Sequence, residues 1–516
     1  MRRVAIGALA AGSVLVVAGV GAWQLLPSDG KKDAITVGTT DEVSSLDPAG
    51  AYDAGSWALY SNVYQSLLTL KNGSDVPVPD AASSCKFIGL KLTTYQCELR
   101  PGMKFSNGRE MTAEDVKFSF DRIFKINSDQ GPKPLLNTLK SVSVRDRTIT
   151  FNLSQRDATF PFKIATGAGA IVDKEKYPAD GLRTGTEVDG SGPYVLESST
   201  NGQIELTPNG SYQGNAKPAH VPVTVKYYED SEQLNSAWKN HDIDVAHREL
   251  PPNVLAQLNP GIEDTRYHES GGSEIRSMVF NVRKNSTFRE RAARQAVAAV
   301  LDRSAIARNV FEGTVTPLYS LIPQGVSGHS TPFYDVYPQP SAAEAKSILR
   351  KADISTPVSF TLGINKRDAN VAEAAEVKRQ LEETGLFKVK IDTIPDFTSF
   401  QKAYAAARFD AYLIGWVADF PDPDNFTAPL VGKDSGWRSG FNDPALEALI
   451  SKTQSYSDRG DSLNDFRAAQ QLVAEQVPVL PLWQKKEYVI SRDAVTGAQF
   501  LADGTGVWRL WDLNWL

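Results

Sequence analysis

The residues with the clearest chemical potential lie in the acidic segment GWVADFPDPDNF, residues 415–426. Paired carboxylates can act as a general acid and base, but Asp422 and Asp424 are flanked by prolines, which is typical of turn and helix-cap positions. Asp419 differs because it follows closely on an apolar run that reads as a strand. A carboxylate beyond the C-terminal end of such a strand faces the crevice of an open α/β sheet, where ligands bind. The pattern makes Asp419 a candidate ligand-binding residue, although an exposed turn aspartate fits it nearly as well.

Sequence motifs of the common enzyme classes are absent from the chain. It contains no G-x-G-x-x-G, no GK[ST] phosphate loop, no H-E-x-x-H and no G-x-S-x-G. The run HESGG, residues 268–272, superficially suggests a protease nucleophile loop, but no other triad element is identifiable, and a loop before a hinge explains the glycines better. Readings as a cofactor-dependent enzyme, a nucleotide-binding protein, a zinc protease or an α/β-hydrolase therefore lack their motifs. We expect no catalysis, no cofactor and no metal site.

The composition is that of a water-soluble protein. Of 516 residues, 22% are charged and 41% hydrophobic, and the net charge is 55 − 61 = −6. This length predicts about three structural units. The mildly acidic balance lacks the basic surplus that phosphate backbones select, so we expect no nucleic-acid partner. A polytopic membrane protein is excluded because the only charge-free apolar run long enough to span a bilayer lies at the N-terminus.

That N-terminal run reads as an export signal. Arg2 and Arg3 precede an uncharged stretch over residues 4–26, and small side chains around Ala22 allow cleavage after that residue. The alternative is an uncleaved anchor whose start is held inside the cell by the two arginines. In either case residues 1–33 are a signal or anchor plus tether, and the rest of the chain lies outside the cytoplasm. The membrane is then a partner only if the segment stays uncleaved.

The chain has two cysteines, Cys85 and Cys97. In an exported protein a close pair is more consistent with a disulfide than with two free thiols, and here it would join the strands of a hairpin. The pair makes a poor metal site because it lacks a nearby histidine and CxxC spacing.

Alternating strand and helix patterns predict an α/β fold with two lobes and a hinge. The chain leaves one lobe, builds a second and returns, which requires at least two crossover strands, an architecture that closes around a ligand by hinge motion. The predicted divisions are lobe I over 34–69, a β-rich subdomain inserted over 70–189, lobe I again over 190–274, lobe II over 275–481 and a return to lobe I over 482–516.

Several predicted elements position the candidate residues. Thr112 and Asp115 form a capping-box pattern at a helix start. The other elements are strands over 34–40, 275–282, 358–364, 389–394, 411–416 and 488–490, a hairpin over 142–153, a helix around 57–67, and a last strand around 500–508.

Several segments together resemble the extracytoplasmic solute-binding proteins of ABC importers, in the family that carries dipeptides, oligopeptides and nickel. They follow the family's order over most of residues 35–485. Beside the acidic segment, they are SLDPAGAYDAGSWALYSNVYQSLL (45–68), LRPGMKFSNGREMTAEDVKFSFDRI (99–123), GSGPYVLES (190–198), NGSYQG (209–214), VFNVRKNSTFRERAARQAVAAVLDRSAI (279–306) and FNDPALEALI.

The resemblance implies a monomeric carrier that captures a short peptide between two lobes and presents it to an ABC permease and ATPase complex. In peptide-binding members the aspartate after the Gly-Trp strand end pairs with the ligand's α-ammonium, and by motif this residue is Asp419. Gly415, Trp416 and Val417 would then offer backbone groups to an extended peptide. Pairing through the main chain gives affinity that does not depend on side-chain identity.

The resemblance also implies residues for the other parts of the ligand. For the carboxylate of a short peptide the family uses a basic residue on the second lobe; Lys366 and Arg367 are the nearest candidates, and Arg408 competes with them. Tyr52 and Ala54 fall where the family's first-lobe loop meets the ligand.

Two alternatives stay open. The same fold could bind a non-peptide solute such as an oligosaccharide or a metal chelate, or it could serve as a ligand-sensing adaptor instead of an importer component. Many members carry a lipid-modified cysteine after the signal, whereas no cysteine precedes Cys85 here. We therefore expect a protein that is not a lipoprotein, either free in the periplasm or cell envelope or held by residues 4–26.

Overall fold

One long mixed sheet carries both halves of the chain. The computed structural model describes residues 34–516 apart from 201, 249, 434 and 503–505, so the predicted signal or anchor over 1–33 lies outside the described residues. The sheet has 11 strands. The strands of the structure, in chain order, are β1 Ile35–Thr39, β2 Leu68–Leu70, β3 Pro77–Pro79, β4 Ala82–Phe87, β5 Thr94–Leu99, β6 Leu139–Arg145, β7 Thr148–Leu153, β8 Tyr194–Thr200, β9 Gln203–Pro208, β10 Val223–Tyr227, β11 Val245–His247, β12 Arg266–Phe280, β13 Val315–Pro317, β14 Val358–Asn365, β15 Phe387–Ile394, β16 Ala411–Trp416, β17 Val479–Ser491, β18 Val495–Thr496 and β19 Asn514–Trp515.

Helices cover this sheet and the smaller ones. Among the described residues, none of them combines the length and the apolar character needed to cross a membrane. They are α1 Ala54–Val63, α2 Ala113–Ile126, α3 Phe160–Lys163, α4 Ser231–Lys239, α5 Pro252–Leu255, α6 Arg291–Val300, α7 Arg303–Asn309, α8 Pro332–Val336, α9 Ala342–Lys351, α10 Asp368–Glu383, α11 Phe397–Ala405, α12 Ala428–Val431, α13 Pro444–Thr453 and α14 Leu463–Gln476.

The order of strands in the long sheet is β15-β14-β16-β12-β17-β11-β1-β10-β9-β8, with β13 paired to β17. Two large hydrophobic cores accompany it. The first is built from residues of the N-terminal half together with Leu510 and Leu513 near the C-terminus, and the second from residues between Ile275 and Trp483. The chain thus returns to its first core at its end. In the antiparallel pair β12 and β17, β17 contributes Val489 to the first core and residues from Val479 to Trp483 to the second, whereas β12 contributes to the second.

The pair β12 and β17 is irregular where it passes between the cores. The register shifts between Gly271, which pairs with Lys486, and Ile275, which pairs with Gln484. A Cβ atom added to Gly272 would lie 2.6 Å from the backbone oxygen of Lys485. Glycine inside a strand often marks such a bulge or a close approach of backbones.

The expectation of a loop at these glycines, followed by a strand from residue 275, is wrong. The strand begins at Arg266 and includes Gly271 and Gly272. Its long antiparallel partner β17 supplies backbone hydrogen bonds on both sides of the bulge, and this tertiary pairing outweighs the low strand propensity of glycine. The predicted boundaries at 274 and 481 therefore fall within β12 and β17, and the limits of the lobes stay a prediction.

The inserted segment contains a four-stranded antiparallel sheet in the order β4-β5-β7-β6. The predicted hairpin forms β6 and β7, and the predicted capping box of Thr112 and Asp115 starts α2. The predicted disulfide is confirmed, since Cys85 and Cys97 are bonded across β4 and β5.

The predicted strand around residues 500–508 is wrong. The described residues there form a 3-10 helix over Ala498–Leu501 and then irregular chain up to Trp508. Side chains of α1 take the place of a strand partner. Asn62 Nδ2 donates to the backbone oxygen of Trp508 at 2.7 Å, and the Trp508 backbone N–H donates to Ser61 Oγ at 3.2 Å.

Candidate functional site

Asp419 lies three residues beyond the end of β16, a strand inside the long sheet. Asn425 fixes its position. The Asp419 backbone N–H donates to Asn425 Oδ1 at 2.9 Å, and Asn425 Nδ2 donates to Asp419 Oδ2 at 2.8 Å. Trp416 Nε1 donates to the same Asn425 Oδ1 at 3.0 Å. Three hydrogen bonds through one amide thus hold the turn that presents the Asp419 carboxylate.

Tyr52 approaches Asp419 from the other side. Its hydroxyl donates to Asp419 Oδ2 at 2.8 Å. The Tyr52 ring stacks on Trp57 with centroids 5.0 Å apart, and both belong to the first core, whereas Ala418 belongs to the second. Phe420, on the other side of Asp419, belongs to the first core. The Tyr52–Asp419 hydrogen bond therefore lies where the two cores meet.

The Asp419 carboxylate is only partly satisfied. Burial raises its pKa to about 6, although the hydrogen bonds from Asn425 and Tyr52 act in the opposite direction. Both of these bonds go to Oδ2, and no described residue donates to Oδ1. Asp419 is half-buried, and a carboxylate with an unused oxygen is stabilised in its ionised form by a cation that brings its own hydrogen-bond donors.

A cavity of about 60 Å³ lies next to Asp419. Its walls come mainly from residues of the first core and the segments around them. They include Trp57, Gln65, Asp80, Thr166 and Asp419.

The backbone of β16 is paired unequally on its two sides. β12 pairs with all of β16 from Ala411 to Trp416, whereas the parallel pairing with β14 covers Ala411 and Tyr412. Within the part of the chain that the structure describes, Gly415 and Trp416 thus have a strand partner on one side only. Val417 follows the strand and is half-buried. An extended segment could add to the other side of β16 by main-chain hydrogen bonds.

The basic candidates lie at different ends of the sheet. Lys366 and Arg367 are exposed and directly follow β14. Because β14 and β16 are parallel, these two residues lie at the same edge of the sheet as Asp419. Arg408 precedes β16, at the strand's opposite end, and forms an exposed ion pair with Asp392 at 2.8 Å. Ala54 is the first residue of α1 and lies just after Tyr52.

The remaining acids of the segment have structural partners. Asp422 caps the 3-10 helix over Pro423–Phe426 and forms an ion pair with Arg459 at 2.8 Å, so its predicted capping role is confirmed. Asp424 lies inside that turn, is buried, and accepts hydrogen bonds from Gln454 Nε2 at 3.1 and 3.2 Å. Burial raises the pKa of Asp424 to about 6.

Sequence reasoning missed Asn425, Gln65 and Asp80 as residues of this region. Asn425 belongs to the quoted acidic segment, and an amide shortly after a candidate carboxylate could have been taken as a signal. Gln65 and Asp80 lie far from that segment in the chain, and no local pattern marks them.

Comparison with known proteins places this chain in a family. The model for "Bacterial extracellular solute-binding proteins, family 5 Middle" matches residues 76–437. The "Probable D,D-dipeptide-binding periplasmic protein DdpA" of Escherichia coli K12 is 26% identical over 486 residues, covering 91% of this chain and 92% of the relative. "Heme-binding protein A" of Haemophilus influenzae is 26% identical over 467 residues, covering 84% of this chain and 82% of the relative.

Among solved structures, the periplasmic binding protein DppA from Helicobacter pylori in complex with the peptide STSA superposes with a TM-score of 0.81 at 20% identity. The match covers 93% of this chain and 98% of that one. The predicted two-lobed α/β fold is thereby confirmed.

Proposed function

We propose, because this chain belongs to the bacterial extracellular solute-binding proteins of family 5, that it captures short peptides between its two lobes and delivers them to an ABC permease and ATPase complex. The observation that carries the proposal is the Asp419 carboxylate, which is half-buried where the two cores meet and has one oxygen unused by described residues. The α-ammonium of a peptide has the charge and the three donors that such an acceptor needs.

The rest of the peptide would lie along β16. Gly415, Trp416 and Val417 would hydrogen-bond its main chain on the side that β14 leaves unpaired. Lys366 or Arg367, at the same edge, would meet the carboxylate of a short peptide, and Tyr52 and Ala54 would contact the ligand from the first lobe. The E. coli relative is named as a probable D,D-dipeptide-binding protein, which supports a peptide ligand of this length.

Binding requires the lobes to open. The cavity beside Asp419 has room for only a few water-sized groups, and Tyr52 covers Asp419 in the described structure. The strands β12 and β17 are the connection about which the lobes would move, and the bulge at Gly271–Ile275 is the place where their pairing is interrupted.

Calorimetry with di- to pentapeptides tests the proposal. Asp419→Asn keeps the shape of the side chain and removes its charge, so we expect affinity to fall by about 2 to 5 kcal/mol, roughly 30-fold to several-thousand-fold. N-acetylated peptides should lose a similar amount on the native protein. Asp392→Asn, which neutralises a half-buried acid on β15 that pairs with Arg408 at the other end of the sheet, is the matched control and should bind normally.

The proposal fails if no free-ended peptide binds, or if acetylation and Asp419→Asn leave the affinity unchanged. Mass spectrometry of ligand that co-purifies with the protein would then identify a non-peptide solute, such as an oligosaccharide or a metal chelate. A ligand-sensing adaptor would bind the ligand without supporting its uptake, so loss of peptide uptake on deletion of the gene separates import from sensing.

We further propose that the protein works outside the cytoplasm, as the name of its periplasmic E. coli relative supports. Residues 4–26 would direct export and would either be removed after Ala22 or remain as an anchor. N-terminal sequencing of the protein from its native envelope distinguishes the two outcomes, and size-exclusion chromatography tests the expected monomer.

A further inference from the structure

Two apolar side chains are exposed at one end of the four-stranded sheet. They belong to the loop over residues 88–93, which joins β4 to β5. Leu90 is 97% exposed, the largest exposed fraction among the large hydrophobic residues that the structure describes, and Ile88 is 43% exposed. Single exposed apolar side chains are ordinary on protein surfaces, so the residues around these two decide what they indicate.

The hairpin that carries the loop is held firmly. A disulfide joins its two strands. The ring of Phe87, the last residue of β4, packs edge-on against Tyr95 with centroids 4.8 Å apart. The Ile88 backbone N–H donates to the backbone oxygen of Thr94 at 2.8 Å. The exposed side chains of Ile88 and Leu90 are therefore presented on a fixed support.

Four basic residues lie at the same end of the sheet. Lys86 belongs to β4 and Lys91 to the loop, while Lys140 belongs to β6 and Arg156 follows β7. All four are exposed. Within the described part of the chain, none of the four forms an ion pair. Their positive charge is therefore available to a partner from outside.

The pairing of the strands brings these residues together. All neighbours in the order β4-β5-β7-β6 are antiparallel, so the ends of β4 and β7 lie beside the starts of β5 and β6. Lys140 directly follows the residue of β6 that pairs with Leu153, the last residue of β7. Arg156 precedes Asp157, whose backbone N–H donates to Leu92 O in the loop at 3.2 Å.

No exposed acid offsets these charges in the segments that form this end, residues 82–93, 136–142 and 150–160. Asp157 is their only acidic residue, and it is buried and accepts from Lys163 Nζ at 2.7 Å. The opposite end of the sheet carries both signs, since Arg147 pairs with Glu98 at 3.4 Å and Asp146 is exposed in the turn between β6 and β7. One end is thus positive and apolar, although the whole chain has a net charge of −6.

We propose that this end of the sheet docks on the surface of a membrane that contains anionic phospholipid. Its cations would lie among the lipid phosphates, and the two apolar side chains would enter the boundary of the acyl chains. Weak apolar insertion and electrostatic attraction together give reversible membrane binding. We call this surface the basic end, and it consists of Lys86, Ile88, Leu90, Lys91, Lys140 and Arg156.

This contact goes beyond ligand capture. It needs neither a bound peptide nor the predicted anchor over residues 4–26, and it would keep the carrier close to the membrane in which a permease lies. A surface of this charge is specific for one kind of membrane, because each Lys or Arg near an anionic surface raises the affinity about fivefold, whereas zwitterionic lipid offers no net attraction.

Sedimentation with lipid vesicles tests the proposal. The protein used begins at residue 34, because the hydrophobic cores are built from Ile35 onward and an apolar anchor would itself bind lipid. We expect the partition coefficient to be about 100-fold higher on vesicles of equal parts phosphatidylglycerol and phosphatidylcholine than on phosphatidylcholine alone. Raising the ionic strength from about 0.1 M to about 1 M should remove most of this difference, because the charges are then screened.

Substitution of Leu90 tests the apolar part of the surface. Leu90→Ser should lower the partition coefficient on the anionic vesicles about tenfold, because the apolar side chain no longer leaves water. Val76→Ser is the matched control, since Val76 is also an exposed apolar residue, at 59%, but follows the exposed Asp75. It should bind as the native protein does.

Substitution of Lys91 tests the charge. Lys91→Gln should lower the partition coefficient on the same vesicles about fivefold. Lys346→Gln removes an equally exposed lysine from α9, which packs on the second core, and should leave it unchanged. Thermal unfolding of all four variants checks that they fold.

The outcomes separate this proposal from the proposed function. Equal partition on both kinds of vesicle, or no partition on either, overturns it, and a protein partner for the basic end would then have to be sought. Unchanged partition of both Leu90→Ser and Lys91→Gln overturns it as well. Peptide affinity measured by calorimetry should be native in these two variants, so failure of membrane docking leaves the peptide proposal standing, and failure of peptide binding leaves membrane docking standing.

Discussion

At the scale of single residues, the site depends on how Asn425 and Tyr52 share one oxygen of Asp419. Both donate to Oδ2, and their combined effect lowers the pKa of Asp419 less than burial raises it. The carboxylate is thus held rigidly while its charge is poorly compensated. Asp419 therefore gains and loses its proton near pH 6, where fully exposed carboxylates stay ionised.

Peptide affinity should therefore fall in acid. The pKa of Asp419 in the ligand-free protein is about 6, and a protonated carboxyl cannot pair with an ammonium. Below pH 6 each ligand must displace a proton, so the affinity should decrease by up to tenfold per pH unit. Calorimetry between pH 4.5 and 7.5 measures this slope, and the Asp419→Asn variant should lack it. A flat profile in the native protein would contradict the assignment.

Asp424 should lower the free energy of unfolding at neutral pH, because its carboxyl is buried. Its folded pKa of about 6 lies above the ordinary value of 3.8. The buried carboxyl therefore costs no stability below pH 3.8, destabilises the fold increasingly as the pH rises from 3.8 to 6, and has a constant cost above pH 6. The surrounding charges are Lys163 and Arg459, which lower the pKa, and Asp422 and Asp157, which raise it.

Asp424→Asn cannot ionise and keeps an acceptor for Gln454. We expect its free energy of unfolding, relative to the native protein, to rise by about 1 to 3 kcal/mol between pH 4 and pH 7.5. Urea denaturation at the two pH values measures the difference. A difference of zero or of opposite sign would show that Asp424 is ionised at little cost.

The sequence pointed to Asp419 because a strand pattern and a family motif coincide there, and its ligand role stays a prediction. Gln65 and Asp80 could not be found in this way. They line the same cavity as Asp419 only because distant segments fold against one another. The two sequence candidates Lys366 and Arg408 also look alike as isolated cations, yet the sheet places them at opposite ends of its strands.

At the scale of elements, the bulge in β12 can be tested by comparing its two adjacent glycines. Gly272 lies against the backbone of β17, where an added Cβ would approach Lys485 O to 2.6 Å and Glu487 Cγ to 2.9 Å. Its neighbour Gly271 has nothing within 4 Å of such a Cβ. Two adjacent glycines of one strand thus differ in whether they tolerate a side chain.

Gly272→Ala should destabilise the protein by about 1 to 3 kcal/mol, because backbone cannot move aside as a flexible side chain can. Gly271→Ala should change the free energy of unfolding by less than about 0.5 kcal/mol. Chemical denaturation of both variants provides the comparison. Equal effects would mean that the close approach of the two strands is relaxed in solution.

Local patterns predicted many elements well. The strand Ala411–Trp416 was predicted with its observed bounds, and the capping box and the hairpin formed where expected. The failures lie where long-range pairing or its absence decides the outcome: β12 gains nine residues from its partner β17, while the apolar residues near Trp508 are held by side chains of α1.

At the scale of the whole molecule, the Tyr52–Asp419 hydrogen bond helps to hold the lobes together. A hydrogen bond to a charged group is worth about 1.5 to 3 kcal/mol. Tyr52→Phe should therefore lower the equilibrium constant for closure of the ligand-free protein by about tenfold or more. The radius of gyration from small-angle X-ray scattering should increase in consequence.

Tyr227→Phe is the matched control, because the Tyr227 hydroxyl has no hydrogen-bond partner among the described residues. Its scattering curve should match that of the native protein. If Tyr52→Phe matches it as well, other contacts between the lobes dominate closure. The backbone hydrogen bond from Ala158 to Gln454 at 2.8 Å and the packing of Phe162 on Phe420 are the contacts to change next.

The two-lobed architecture was predictable because composition, patterning and family resemblance agreed on it. The single sheet that runs through both lobes was not, since strand order depends on which segments meet in space. The sequence therefore predicted two crossing strands without showing that they pair with each other.

The return of the chain to its first core has a consequence for biosynthesis. Leu510 and Leu513 are fully buried in a core that begins with Ile35 and Val37. The second core is complete with Trp483, so it can acquire its native packing during synthesis of the chain while the first core still lacks its last residues. Removal of the last ten residues, which include Leu510 and Leu513, should for this reason destabilise the first core, although it is built mainly from the N-terminal half, and leave the second core intact.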